Sequence, residues 1–323
     1  MCRGLANPKD HALAVAARLA DRLIDRSDLI VVQGDTSSAL GGALAASALA
    51  VPLAHVEAGL RTHDLASPWP EEEFRIAIDA RADLLFAPTT LSATNLQVEP
   101  VRGAIHVTGN SGIDAVMAAA ASLPRSDGRS GQRRLLVTCH RRESWGEGLR
   151  SIAAALVELS TEVDIDLVLH PNPAVARAMQ ASLAHCPAVH LLQPCGHAEL
   201  LTRMLAATIT LSDSGGMQEE AAALGAPLLV LRDKTERPEA IATGNMILVG
   251  TDTARIVGEV RRLLRDPVAL ATMARPAFPY GDGRSGPRIA GIIVDWLGQR
   301  KRARSPGGTR PSLTSGRGIR TDS

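Results

Sequence analysis

The sequence predicts an α/β protein with two doubly wound parallel-sheet (Rossmann-like) lobes, the first of them incomplete. Three observations carry that expectation: β-branched apolar runs alternate with helical patterns along most of the chain, a Pro/Gly/Ser/Arg-rich break falls at residues 123–133, and six strand patterns follow the break. Strands that alternate with helices pair in parallel, because each crossover lays a helix on a face of the sheet. Length agrees, since 323 residues suit two cores better than one.

Ala12, Ala16, Leu19 and Leu23 recur at helical spacing, and the run Leu29-Ile30-Val31-Val32 then ends at Gly34. The alternation continues with a helix at 37–50, a strand at 53–56, a helix at 71–82, a strand at 84–87, a helix at 89–98, a strand at 105–108 and a helix at 111–122. This first lobe, residues 1–122, opens on a helix where a doubly wound sheet opens on a strand. Residues 123–133, LPRSDGRSGQR, read as a linker. Strands at 134–138, 166–169, 189–192, 208–211, 227–231 and 246–249, with helices closing at 253–265 and 287–297, make a complete second lobe over 134–297.

Residues 298–323 hold seven Arg/Lys against the single Asp322, so removing that +6 from the net +1 leaves a body near −5. Such a body has no global basic field for nucleic acid, and the Gly/Ser/Pro/Arg-rich tail reads as disordered. Cys2, Cys139, Cys186 and Cys195 show neither a paired CxxC nor His/Cys metal spacing, which fits a reducing cytoplasm and no metal site. The uncharged stretch from Thr36 to Val56 is Ala/Gly/Ser-rich and broken by Pro52, so it reads as a buried helix and strand and not as a membrane span. No signal peptide is visible at the N-terminus.

Ligands of open α/β sheets sit beyond the carboxyl ends of the strands, so the loops there hold the candidates. Gln33-Gly34-Asp35-Thr36 offers Asp35, which reads equally as a helix N-cap. His55-Val56-Glu57-Ala58-Gly59-Leu60-Arg61 offers Glu57 and Arg61, in a loop position where such side chains are usually solvated. Ser67-Pro68-Trp69-Pro70-Glu71 fixes Glu71 before a helix whose three leading acids also suit the helix dipole. Cys139-His140-Arg141-Arg142 concentrates cations suited to a pyrophosphate. His170-Pro171-Asn172 holds a histidine that could equally be structural.

Ser212-Asp213-Ser214-Gly215-Gly216 turns from a strand into a helix whose free N–H groups suit an anion. Glu220 on that helix could accept ribose hydroxyls, and Arg237 lies in the next charged loop. Gly281-Asp282-Gly283-Arg284-Ser285-Gly286 matches the dinucleotide fingerprint in letters but follows no strand.

Taken together, GDT, HVEAGLRT, SPWPEE, HRRES, HPNP, SDSGG with QEE, RDKTERPEA, VGTD and PYGDG resemble the phrases of the non-hydrolysing UDP-N-acetylglucosamine 2-epimerases, in order, from about Asp28 to Trp296. The resemblance implies a GT-B-like fold, no cofactor and a cytoplasmic isomerase of cell-envelope polysaccharide synthesis. It would expel UDP from UDP-GlcNAc, reprotonate C2 on the other face and add UDP back to give UDP-ManNAc. It implies Asp35, Glu57 and Glu71 as acid/base groups, His140 at the leaving phosphate, and Arg141, Ser214, Gly215, Gly216, Glu220 and Arg237 as substrate-binding residues. Neither nucleic acid nor membrane is an implied partner, and a homodimer is compatible with the resemblance.

The family opens with a strand and a G-T-R-P-E phosphate loop that has no counterpart here. The expectation is therefore an N-terminally truncated member short of roughly 60 residues, two βα units. Cys139 also stands where the family has glycine. The rival readings are an inactive remnant that binds UDP only, and a UDP-sugar-dependent GT-B glycosyltransferase, against which the SPWPEE and HRRES phrases argue.

Overall fold

The structure, a computed structural model, describes residues 7–23, 27–123, 133–139 and 146–304. Helix α1 (Pro8–Leu23) is followed by β1 (Ile30–Gln33), α2 (Ser37–Ala48), β2 (Leu53–Val56), α3 (Glu71–Asp79), β3 (Leu84–Ala87), α4 (Thr90–Gln97), β4 (Ala104–Val107) and α5 (Ser111–Ser122). Among the described residues the four strands form one parallel sheet in the order β1-β2-β3-β4. Strands β2 and β3 are buried at every position. Their continuous apolar runs follow from that, since successive side chains alternate between two covered faces. Leu53, Leu85 and Ala87 pack on one face with Phe74, Ile78 and Leu96. Ala54, Val56, Leu84 and Phe86 fill the other.

The second sheet uses β5 (Arg134–Thr138), α6 (Glu147–Leu159), β6 (Asp164–Val168), α7 (Pro173–Leu183), β7 (Val189–Leu192), α8 (His197–Ala206), β8 (Ile209–Ser212), α9 (Gly215–Leu224), β9 (Leu228–Val230), α10 (Glu239–Ala242) and β10 (Met246–Leu248). Helices α11 (Thr253–Arg265), α12 (Pro267–Met273) and α13 (Ser285–Arg304) complete the chain. The strand order is β10-β9-β8-β5-β6-β7, all parallel, the order of the dinucleotide-binding fold. The chain reverses between β5 and β8, and the carboxyl ends of those two strands mark the crevice where such sheets bind ligand.

The chain divides into two compact units, the first running to Asp114 and resuming at Tyr280, the second spanning Ala115–Pro279. This revises the expected domains. The division falls within α5 and not at 123–133, of which 124–132 lie outside the described residues. The segment from 280 to 297, expected in the second lobe, belongs to the first. Its helix α13 lays Ile289, Ile292, Ile293 and Trp296, at positions i, i+3, i+4 and i+7, on the face formed by Ala54, Val56, Leu84 and Phe86. Asp114 fixes the start of α13 by accepting the backbone N–H groups of Ser285 (2.9 Å) and Gly286 (2.7 Å).

Residues 298–304, expected in the disordered tail, continue α13 to Arg304. The Arg300 guanidinium lies 4.6 Å from the Trp296 ring centroid. The Lys301 ammonium stands 3.6 Å from Asp28. Residues 305–323 lie outside the described residues. Among the described residues no helix is long and apolar enough to cross a membrane.

Candidate active site

In the first unit the register of the sheet brings two acids together. Gln33 pairs with Val56, so the turns leaving β1 and β2 start side by side. The Gly34 N–H donates to the Val56 carbonyl at 3.1 Å. Asp35 follows in the first turn and Glu57 in the second. Glu57 has φ +70°, a left-handed conformation that costs a non-glycine residue of order 1–3 kcal/mol and that clusters at functional sites. A Cβ on Gly34 would stand 3.6 Å from Glu57 Oε2, a measure of how closely the two turns approach. Asp35 is not the cap of α2. Thr36 takes that place, its hydroxyl accepting the Ala39 N–H at 3.2 Å.

Helix α3 adds the third acid. Glu71, Arg75 and Asp79 are spaced i, i+4, i+8 and so share one face of the helix. Arg75 pairs through Nη2 with Asp35 Oδ2 and, at 3.1 Å through Nη1, with Glu72 Oε2. Glu72 is anchored in turn, its Oε1 accepting the N–H groups of Thr62 and His63 at 2.9 Å each. Glu71 begins the helix, and its Oε2 is buried with no hydrogen-bond partner among the described residues.

Beneath these acids lies a buried ionic cluster. His55 has Nδ1 2.6 Å from Asp79 Oδ1 and Nε2 2.9 Å from the Gly34 carbonyl, so both ring nitrogens meet acceptors. Asp79 Oδ2 accepts Arg61 Nη2 at 2.7 Å and the Gly59 N–H at 3.2 Å. Arg61 also reaches Glu99, at 2.7 and 2.6 Å. Burial by itself pushes the Asp79 carboxyl up, but hydrogen bonding and charge from His55, then from Arg61, outweigh it and hold the group below its ordinary value. Gly59 is required by the approach of α4, because a Cβ there would meet the Ser92 carbonyl oxygen at 2.2 Å. Arg61, expected to be solvated, is 5 % exposed, since its loop turns inward onto Asp79 and Glu99.

In the second unit the candidates gather where the strand order reverses. Thr138 closes β5 and Ser212 closes β8, and their hydroxyl oxygens lie 2.7 Å apart. The Ser212 hydroxyl also accepts the Ser214 N–H at 3.0 Å, which shapes the entry to α9. Ser214 holds the N-cap position with no side-chain cap, leaving the first N–H groups of the helix unsatisfied by it. Gly215 and Gly216 are the first residues of this helix and not a separate turn. Arg237 lies beside them, 7 % exposed, with Nε 2.6 Å from Glu219 and Nη1 paired with Glu236. Glu236 also accepts Arg232 Nη1 at 2.9 Å. Glu220 has Oε1 2.9 Å from His197 Nε2 at the start of α8.

Cys139 follows β5 and is buried. Burial, and after it the charge of Asp213, pushes its thiol well above the ordinary range. His170 acts in its own turn, its Nδ1 accepting the Asn172 N–H at 2.8 Å. His140 and Arg141 lie outside the described residues. The structure thus gathers Asp35, Glu57 and Glu71 in one unit and Ser214, Gly215, Gly216, Glu220 and Arg237 in the other. Sequence reasoning passed over His55, Arg75, Asp79, Thr138 and His197. The i, i+4, i+8 spacing of Glu71, Arg75 and Asp79 was the available signal for two of them.

Two parallel-sheet α/β units, the second in dinucleotide-fold order with an uncapped helix and a buried arginine at its switch point, define an α/β protein of the GT-B-like nucleotide-sugar class. Residues 12–294 match the model of the family described as UDP-N-acetylglucosamine 2-epimerase. A probable UDP-N-acetylglucosamine 2-epimerase of Ralstonia nicotianae is 43% identical over 282 residues, 82% of this chain and 75% of that protein. The UDP-N-acetylglucosamine 2-epimerase of Salmonella typhimurium is 42% identical over 280 residues, 82% of this chain and 74% of that one. The crystal structure of the Neisseria meningitidis UDP-GlcNAc 2-epimerase bound to UDP-GlcNAc superposes with a TM-score of 0.87 at 35% identity, covering 91% of this chain and 84% of that one. The S. aureus MnaA–UDP co-structure gives 0.84 at 32% identity, covering 91% and 83%. The chain belongs to the UDP-N-acetylglucosamine 2-epimerase family.

Proposed function

We propose that this chain interconverts UDP-GlcNAc and UDP-ManNAc by inverting C2 of the sugar. The observation that carries the reading is the gathering of Asp35, Glu57 and Glu71 by one strand register and one helix face. C2 has no neighbouring carbonyl, so its proton leaves only as the C1–O bond breaks. Inversion then needs separate groups to remove a proton from one face and to return one to the other. Three acids in unlike surroundings supply that choice: Asp35 beside a guanidinium, Glu57 on a left-handed turn and Glu71 with a buried open oxygen.

The departing UDP is stabilised by the first N–H groups of α9 at Ser214, Gly215 and Gly216, by Arg237, and by His140 and Arg141. Glu220, oriented by His197, accepts ribose hydroxyls. A cytoplasmic setting, where free thiols persist, suits Cys139, Cys186 and Cys195.

The test is incubation of the full chain with UDP-GlcNAc in heavy water, followed by product analysis. The expected result is UDP-ManNAc together with deuterium at C2 of both sugars. Protein that binds UDP-GlcNAc, leaves C2 hydrogen untouched and transfers GlcNAc to an acceptor would replace this reading with a glycosyltransferase.

A further inference from the structure

We infer that Arg75 is a positioning residue for the epimerisation, setting the distance between Asp35 and Glu71; the inference rests on the epimerase reading above. Arg75 is 2 % exposed and each nitrogen of its guanidinium has a distinct situation. Nη2 pairs with Asp35, Nη1 pairs with Glu72, and Nε is buried with no hydrogen-bond partner among the described residues. Buried donors are almost always satisfied, so an arginine serving stability alone would be expected to fill all its donors. The open Nε indicates that the orientation of the fork toward the two carboxylates has precedence.

The two carboxylates differ in freedom. Glu72 is 1 % exposed and held by the backbone of residues 62 and 63. Asp35 has a side chain 26% exposed on a turn after Gly34 at φ +69°, and Arg75 is the partner its carboxylate has among the described residues. The planar fork of Arg75 therefore transmits the position of Glu72 to Asp35. Glu71 stands one helical turn before Arg75 on the same face, so the spacing of the two acids is set by one turn of α3 and one guanidinium. Arg75 takes part in no bond change itself. It fixes where Asp35 points while the C2 proton moves.

A lysine keeps the charge and the fold contacts of the stem but cannot bridge two carboxylates in one plane. Arg75→Lys in the full chain is expected to lower the rate of C2 deuterium exchange about 100-fold, the effect of a misplacement near 1 Å. KM for UDP-GlcNAc, UDP affinity and melting behaviour are expected to stay within about twofold or a few degrees, because the transition state alone is affected. Glu72→Gln, which leaves Arg75 in place and weakens its anchor, is expected to give an intermediate rate with the same KM. Exchange at the wild-type rate in Arg75→Lys overturns the inference and leaves the epimerase reading intact. So does a rise in KM that parallels the fall in kcat, or a matching collapse of melting temperature. Absence of exchange in the wild-type chain that still binds UDP-GlcNAc overturns the epimerase reading and the role of Arg75 with it.

Discussion

Nη1 of Arg237 stands 2.7 Å from the point a Cβ on Gly215 would occupy, with the guanidinium carbon at 3.0 Å and Glu236 Oε1 at 3.2 Å. The guanidinium has nowhere simple to go, since Glu219 and Glu236 hold it from two directions. Gly215→Ala is therefore expected to displace Arg237 and to weaken UDP binding by about tenfold, or 1.4 kcal/mol, as read by calorimetry.

Gly216 provides the contrast, because it is exposed and a Cβ there meets nothing within 4 Å. Gly216→Ala should raise the stability of the second unit by about 0.5–1 kcal/mol through helix propensity. It should weaken UDP binding all the same, if phosphate rests against the Cα. Unchanged UDP affinity in both alanine variants would remove the start of α9 from the nucleotide site.

The pH dependence of the first unit follows from Asp79. Its folded carboxyl is held below the ordinary value by His55 and Arg61 against the cost of burial. A depressed folded value means the stabilisation is present above the ordinary carboxylate range and disappears as pH falls through the lowered value. Urea midpoints should accordingly fall below about pH 4. Asp79→Asn should flatten that decline and cost about 3–5 kcal/mol at neutral pH, because Arg61 loses a buried counter-charge. Asp282, lowered to about 2 by its hydrogen bonds and charge pairing with Arg288, is exposed, so Asp282→Asn should leave the neutral-pH midpoint nearly unmoved. A wild-type midpoint flat from pH 5 to 2 would contradict the part given to Asp79.

These networks also show what the sequence could and could not reveal. The strands 53–56, 84–87, 134–138 and 189–192 and the helix 253–265 match the observed elements residue for residue, since periodicity and β-branched runs are local signals. Short helices α10 and α12 escaped, being under two turns of pattern between loops. The pairing of Arg75 with Asp35, forty positions away, leaves no local trace. Arg61 read as a surface loop residue because its partners Asp79 and Glu99 lie on other elements. The apolar face of α13 was legible, but not which sheet it would cover.

Ile289 is 7 % exposed on the sheet face of Ala54, Val56, Leu84 and Phe86. Ile289→Ala should destabilise the first unit by about 2–4 kcal/mol. UDP binding, assigned to the second unit, should persist at wild-type strength. Loss of nucleotide affinity without a change in the melting of the first unit would place Ile289 and α13 with the other unit instead.

Glu71 offers the sharpest separation of catalysis from folding. Its Oε2 is buried without a hydrogen-bond donor among the described residues, an arrangement that costs stability. A fold under selection for stability alone would satisfy or replace such an oxygen, and the proton-transfer role proposed for Glu71 would give that open position an occupant, a substrate hydroxyl or a transferred proton. Glu71→Gln keeps the volume and the helix while removing the exchangeable carboxyl proton. It should melt at or slightly above the wild-type temperature, bind UDP unchanged, and exchange C2 hydrogen at least about 100-fold more slowly. Asp35→Asn should differ by losing stability as well, because it leaves Arg75 with one carboxylate in place of two. Wild-type exchange by Glu71→Gln would show that the open oxygen of Glu71 plays no part in proton transfer, and would leave Asp35 and Glu57 as the acid and base.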